Sequence, residues 1–282
     1  MTDESAAEKP LPLVSFIMSV YAGNDAAELK RVLVSAVGQD YPSVELVLVI
    51  DGPVPDELRQ AINEVQRGTN VPICVIALGR NRGLGPALNA AISAAKGEFL
   101  ARADADDYSM PDRVRVQAEY LTAHPEVDVV GCLMEEVFED GSANYTRMPA
   151  NHEACVAEFV RRDPIHHPTA VFRRRFFEKA GLYSGEKCDD SALWLAGIKA
   201  GCRFANVDMV LYRTFLDRKF FSRRKNLRWI WWVFENRLRI IRELDYGIKG
   251  YFWAIFRVAV MLLPRPLLQR AYRLRSKVWT HA

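Results

Sequence analysis

Residues 95–107 read Ala-Lys-Gly-Glu-Phe-Leu-Ala-Arg-Ala-Asp-Ala-Asp-Asp. Phe99 to Ala103 has the character of a short strand, and it follows a helix-like stretch, Gly85 to Lys96, that Gly97 stops. The strand runs straight into Asp104, Asp106 and Asp107, three carboxylates within four positions. Charges so close repel one another and cost stability unless a cation or hydrogen-bond donors compensate them.

The segments upstream share this build. Residues 13–20, 44–50 and 71–77 are short β-branched runs, each followed by a helical pattern. Strand–helix alternation of this kind predicts an α/β fold, with a mostly parallel central sheet covered by helices on both faces. In open parallel sheets ligands bind beyond the carboxyl ends of the strands, so Asp51 and the 104–107 cluster, each ending a strand, are expected to face one crevice. Downstream, Pro111 opens a helix that ends near Pro125, and Val127 to Cys132 reads as a strand. The pattern then mixes: a helix over 152–162, a β-like segment over 169–172, a helix near 193–200, and a wholly helical final 60 or so residues, without internal repeats.

At 282 residues, half of them hydrophobic, the chain is long enough for a full core. Its net charge of +3 hides an asymmetry: residues 213–282 hold 17 Lys and Arg against 4 Asp and Glu, a formal +13 that leaves −10 on the rest. An acidic body suits a cation-bridged ligand, and a basic aromatic tail suits an anionic surface; a uniform nucleic-acid binder would not be divided in this way. The five cysteines (Cys74, Cys132, Cys155, Cys188 and Cys202) form no Cys-x-x-Cys pair, which points to a reducing cytosol. Residues 1–10 are polar and acidic, unlike a secretory signal, and are expected to be disordered.

The acidic run invites a divalent cation. Mg²⁺ takes one or two protein carboxylates plus substrate phosphates, and Mn²⁺ also favours oxygen ligands, so an open acidic edge suits a metal–diphosphate complex better than a closed cage. Acidity alone reads equally well as a surface turn capping the next helix. Gly83-Leu-Gly85 is not a dinucleotide fingerprint, because its sixth position is Leu88 and it follows the third strand rather than the first.

Asn-Arg-Gly-Leu-Gly-Pro-Ala-Leu-Asn at 81–89, the run at 95–107 and Pro-Asp-Arg at 111–113, taken together, resemble the signature of family 2 glycosyltransferases of the GT-A fold. Val-Val-Gly at 129–131, His-Pro-Thr at 167–169 and Asp-Asp-Ser-Ala-Leu-Trp at 189–194 follow in the family's order. The resemblance covers roughly residues 13–215, and Asp51 to Leu58 is similar to a subgroup that builds bacterial capsule and exopolysaccharide. It implies a nucleotide-sugar donor, UDP-linked by preference, held with Mn²⁺ or Mg²⁺. Asp51 would contact the nucleotide base and Asn81 the nucleotide, while Asp104 and Asp106 would hold ribose and metal-bridged diphosphate with Asp107 in support. Arg102 would either meet phosphate or form an ion pair with the cluster, and His167 would lie near the diphosphate.

Inverting transfer needs a base for the acceptor proton. The resemblance assigns that role to Asp190, with Asp189 sharing or exchanging it; taken alone, either Asp reads as a helix N-cap. Ala192 stands where the family often has a second acid, and Ser19 and Ala22 replace the family's usual Pro and Asn around the first strand end. Lys225-Asn-Leu-Arg-Trp229 lacks the Gln of processive relatives, which implies single addition. Two alternatives stay open: a catalytically impaired scaffold in a polysaccharide assembly complex, and a sugar-nucleotide nucleotidyltransferase, which would need an N-terminal Gly-rich loop not found here.

The expected organisation is a GT-A domain over 11–215 and a helical, basic region over 216–282. Tyr251 to Leu263 is apolar except for Arg257, yet its 13 residues are fewer than the roughly 20 a spanning helix needs. With Trp229, Trp231, Trp232, Trp253, Trp279 and many Arg, the tail reads as helices lying on the anionic inner face of the cell membrane, close to a lipid-linked or glycan acceptor; a dimer interface is the other reading.

Overall fold

The computed structural model describes residues 10–186, 189–216 and 226–278, so the expectations for residues 1–9, Cys188, Lys225 and Trp279 lie outside the described residues. Strand β1 (Val14–Val20) sits between β2 (Val44–Asp51) and β4 (Phe99–Arg102), with β3 (Ile73–Leu78) beyond β2, and all four are parallel. Helices α1 (Ala26–Val37), α2 (Asp56–Arg67) and α3 (Leu84–Ala94) are the crossovers.

Every residue of β2 is buried, because its two faces feed two different cores. Leu46 and Leu48, with Phe16 and Met18 of β1, pack in one core with Leu29 and Leu33 of α1 and Leu58 and Ile62 of α2. Val47 and Val49, with Ile17, belong to the second core with Ala87, Leu88 and Ala91 of α3. This two-sided burial is why the strands read as continuous apolar runs rather than alternating ones.

The rest of the sheet is mixed. It adds β5 (Tyr108–Ser109), β6 (Val129–Phe138), β7 (Ala143–Tyr145), β8 (Val171–Arg173) and β9 (Phe204–Leu216) in the order β3-β2-β1-β4-β8-β6-β9-β5, with β7 on β6. Strand β8 runs antiparallel to both β4 and β6, and β9 runs parallel to β6 through register shifts at Cys132 to Met134. The helices here are α4 (Arg113–Ala123), α5 (His152–Phe159), α6 (Arg174–Ala180) and α7 (Asp189–Lys199). The strand expected over 127–132 extends to Phe138, and the helix expected near 193 begins at Asp189. Strand β9 carries no clear strand signal in the sequence, because around its bulged pairing the residues show neither alternation nor an unbroken apolar run.

Helices α8 (Leu227–Glu243), α9 (Gly247–Leu262) and α10 (Arg265–Val278) complete the chain. The Asn226 side chain caps α8 by accepting from the N–H groups of Arg228 and Trp229. Ile240 of α8 enters the same core as Trp194 and Phe176. Helix α9 buries Gly250 and Ala254 and turns Ile248, Tyr251, Phe252, Ile255, Phe256 and Leu262 outward, Ile248 being 87% and Phe252 63% exposed. No helix among the described residues is long and apolar enough to cross a membrane. Cys132, Cys155 and Cys202 are buried free thiols, and Cys74 is an exposed one.

Candidate active site

Three parallel strands deliver their carboxyl ends to one cleft of about 460 Å³. Ser19 and Tyr21 come from the end of β1, Asp51 from the end of β2, and Arg102, Asp104 and Asp106 from the end of β4. Asn81, Gly83 and Leu84 line it from the loop leading into α3. The expected crevice therefore forms, and it gathers Asp51, Asn81, Arg102, Asp104 and Asp106.

Asp51 is 3% exposed and organises that loop. Its Oδ1 accepts the Arg82 N–H at 2.7 Å and its Oδ2 the Gly83 N–H at 2.9 Å, while the Asn81 side chain donates to the Asp51 carbonyl at 3.2 Å. The loop crosses so near that a Cβ on Gly52 would lie 2.5 Å from Asn81 N, and Gly52 adopts φ +88°. Only glycine meets both demands without strain.

The acidic run occupies the turn between β4 and β5. Buried Arg102 donates to both oxygens of Asp104, at 2.6 and 2.5 Å, in a bidentate pair. Each oxygen keeps a second lone pair. The Asp104 N–H donates to the Tyr212 hydroxyl at 3.0 Å, so β9 reaches the site through a residue with no motif around it. Asp106 is exposed and Asp107 buried. Burial, then the charges of Asp104 and Asp106, push the Asp107 carboxyl well above the usual carboxylate range, against a hydrogen bond with Thr214 and the charge of Arg102.

One carboxylate oxygen from each of Asp104, Asp106 and Asp107 lies within 4.8 Å of the others. Three hard oxygen donors at that spacing, one of them with its bare charge disfavoured by burial, fit a divalent cation such as Mg²⁺ or Mn²⁺. Asp104 and Asp106 would hold it on the cleft side, with Asp107 behind them.

Arg113, the last residue of Pro-Asp-Arg, supports this turn from beneath. It is fully buried and donates to the carbonyls of Arg102 at 2.7 Å and Pro168 at 3.1 Å, and to Ser109 Oγ at 2.9 Å. Its guanidinium also lies 4.8 Å from the centre of the Tyr212 ring. It thus ties the β4 end to the His-Pro-Thr segment, a positioning task that the motif alone does not disclose.

His167 opens a 3₁₀ turn, His167–Thr169, and its Nε2 shares a 2.7 Å hydrogen bond with the Tyr183 hydroxyl. Burial, reinforced by the charge of Arg102, depresses its pKa well below the usual histidine value, so the ring is neutral. Tyr183 is held in turn by Asn89, the last residue of the 81–89 motif.

Asp189 and Asp190 open α7 but do different things. Asp189 accepts from Ser184 Oγ at 2.8 Å and from the Gly185 N–H at 3.1 Å, which fixes the turn before the helix. Its packing explains Gly85, where a Cβ would lie 2.1 Å from Asp189 Oδ2. Asp190 accepts the Ser191 N–H at 2.8 Å. Burial, then the charge of Asp163, push its carboxyl up to about 6. A carboxylate so raised is a stronger base than a solvated one and is still ionised at neutral pH.

The family model "Glycosyl transferase family 2" matches residues 15–181. The chain is 29% identical over 264 residues to the amylovoran biosynthesis glycosyltransferase AmsE of Erwinia amylovora, spanning 92% of this chain and 98% of that one. It is 26% identical over 256 residues to the UDP-Gal:alpha-D-GlcNAc-diphosphoundecaprenol beta-1,3-galactosyltransferase of Escherichia coli, spanning 90% and 92%. In fold it resembles the mannosyltransferase PcManGT of Pyrobaculum calidifontis, solved with GDP-Man and Mn²⁺, at a TM-score of 0.66 and 22% identity over 96% of this chain and 84% of that one.

Proposed function

The chain belongs to glycosyl transferase family 2, and from that premise we propose that it moves one sugar, with inversion, from a UDP-linked donor to a hydroxyl of a lipid-linked glycan during bacterial surface polysaccharide synthesis. The observation that carries this reading is the meeting of Asp104 and Asp106, two members of the acidic cluster, with Asp51 and Asn81 in one cleft. For a nucleotide diphosphate the cleft offers polar groups from Asp51 and Asn81, and Asp104 and Asp106 would hold its counter-ion. The acceptor class is supported by the Escherichia coli relative, whose name gives a diphosphoundecaprenol-linked sugar and UDP-Gal.

In this reading Asp190 takes the acceptor proton as the acceptor oxygen bonds to the anomeric carbon and the bond to the diphosphate breaks. The diphosphate leaves with the electron pair. A bound Mn²⁺ or Mg²⁺ would supply Lewis-acid neutralisation of that leaving charge. Neutral His167 is held by Tyr183 and lies 5.8 Å from the Trp194 ring, so it adds no charge of its own. Asp189 ties Gly185 to the start of α7, the helix that carries Asp190.

The tail supports a location at a membrane surface. Helix α9 presents Ile248, Phe252, Ile255 and Phe256 to solvent in a chain region of formal charge +13, the combination that binds an anionic leaflet in the interfacial plane. A peripheral enzyme on the inner face of the membrane would meet its lipid-linked acceptor there.

The test is a panel of nucleotide sugars assayed for thermal stabilisation with Mn²⁺, followed by transfer to a diphosphoundecaprenol-linked sugar and assignment of the product's anomeric configuration by NMR. A ligand at 100 times its Kd adds about 2.7 kcal/mol of stability. Stabilisation by no UDP-sugar, or a product that retains the donor's configuration, would remove the proposal.

A further inference from the structure

Ser191 donates to two acids at once. Its N–H reaches Asp190 Oδ1 at 2.8 Å, and its hydroxyl reaches Asp163 Oδ1 at 2.8 Å. Arg237 of α8 closes on Asp163 from the tail, donating Nη2 to that same Oδ1 and Nη1 to the Phe159 carbonyl at 2.7 Å. Arg237 is 2% exposed, and its guanidinium lies 5.5 Å from the centre of the Phe159 ring. A guanidinium buried this deeply costs several kcal/mol unless a carboxylate compensates it, and Asp163 is that carboxylate.

We propose that Asp163 and Arg237 are positioning residues for the sugar-transfer site: through the shared donor Ser191 they hold an ionised carboxylate beside Asp190, so that Asp190, and not Asp163, is the acid that exchanges a proton. The proposal rests on the reading of Asp190 as the base. Arg237 belongs to the C-terminal helices, beyond residues 15–181, and acts on that base through Asp163.

The charges around the pair agree with the geometry. Burial pulls the Asp163 carboxyl up, but Arg237 and then Arg257 of α9 outweigh it and hold the group below the usual carboxylate range. Asp190 has the opposite fate, raised by burial and then by Asp163, while Ser191, Arg237 and Arg102 of β4 act the other way more weakly. Tyr183, from the loop before α7, also faces Asp190 and Asp189, and burial keeps its hydroxyl protonated. Two carboxylates held by the same serine cannot both stay ionised at no cost. The arginine decides which of them keeps its charge.

The test follows the titration of the Asp190 side chain directly, by carboxylate-carbon NMR of the full chain, assigned with Asp190→Asn, beside the pH dependence of turnover. Asp163→Asn removes the adjacent charge, so the Asp190 midpoint should fall by about one pH unit or more. The double variant Asp163→Asn/Arg237→Gln removes both charges and covers the case in which the single variant, with a stranded arginine, does not fold; its midpoint should also fall. Arg237→Lys keeps the charge and should leave the midpoint in place. An Asp190 midpoint that stays put in both Asp163 variants overturns the proposal. A midpoint that falls while the acid limb of turnover does not follow upholds the pair and removes Asp190 as the base, so the two failures are distinguishable.

Discussion

Asn89 and Tyr183 exchange two hydrogen bonds: the Asn89 amide donates to the Tyr183 carbonyl at 2.8 Å and accepts the Tyr183 N–H at 3.0 Å. This clamp joins α3 to the loop that precedes α7, and the hydroxyl of the clamped Tyr183 reaches His167. Two separate sequence motifs, 81–89 and 167–169, meet there through Tyr183. Asn89→Ala leaves two part-buried backbone groups without partners, and urea unfolding should show a loss of about 1–3 kcal/mol. The His167 ring signals should move in the same variant, because the tyrosine that orients the ring is no longer held. An unchanged unfolding midpoint would show that the clamp contributes nothing.

Metal dependence is expected to reside in the turn after β4. Asp106→Asn removes a hard oxygen ligand from the exposed rim of the cluster, and UDP affinity in the presence of Mn²⁺ should drop by about tenfold or more, which is 1.4 kcal/mol at the lower bound. Calorimetry with and without chelator checks it. Equal UDP binding by wild type and variant under both conditions would remove the metal role from this cluster.

The base should show itself in a pH profile. As the proposed base Asp190 must be ionised, and its carboxyl is pushed up to about 6, so turnover should decline as the pH falls through that value. Asp190→Asn keeps the size of the side chain but not its basicity, and turnover should fall by about 10²–10⁴ with donor binding almost unchanged. Stability should move in the opposite direction. A carboxyl raised on folding contributes stability below its unfolded pKa and loses that contribution as the pH rises through the folded value. Asp190→Asn should therefore gain on the wild type in thermal unfolding at pH 8 and not at pH 4. An Asp190→Asn variant that transfers sugar at the wild-type rate would refute the assignment.

Membrane contact is expected through α9. Phe252→Glu combined with Ile255→Glu puts two charges on the exposed apolar stripe, while the inward-facing Gly250 and Ala254 stay as they are, so the fold should survive. Flotation with vesicles containing anionic lipid should fall steeply for this variant. For the wild type, high salt should lower it partly, because salt screens the charge attraction and not the apolar insertion. Flotation unaffected by both changes would favour an interface between copies of the chain.

The sequence by itself determined the parallel half of the sheet and the site at its carboxyl ends. Strands β1, β2 and β4 are short runs buried on both faces, and a buried strand followed by acidic residues can place them only at its own end, which is why Asp51, Asp104, Asp106 and Asp107 were legible. The motifs also pointed to Arg113 and Asn89, but not to what they do, since the Arg102 and Pro168 carbonyls and the Tyr183 backbone that they hold are brought near only by folding. Tyr212, Asp163 and Arg237 had no local signal. Tyr212 arrives on a bulged strand without regular alternation, and Arg237 looks like one more charge on a basic helix until α8 packs against the core and buries it. Sequence spacing records which side chains share a strand or a helix face, but burial and ion pairing between distant segments depend on how those segments pack. Tertiary structure therefore decided which of the many arginines is buried against an acid, and which of two adjacent aspartates fixes a turn while the other is left basic.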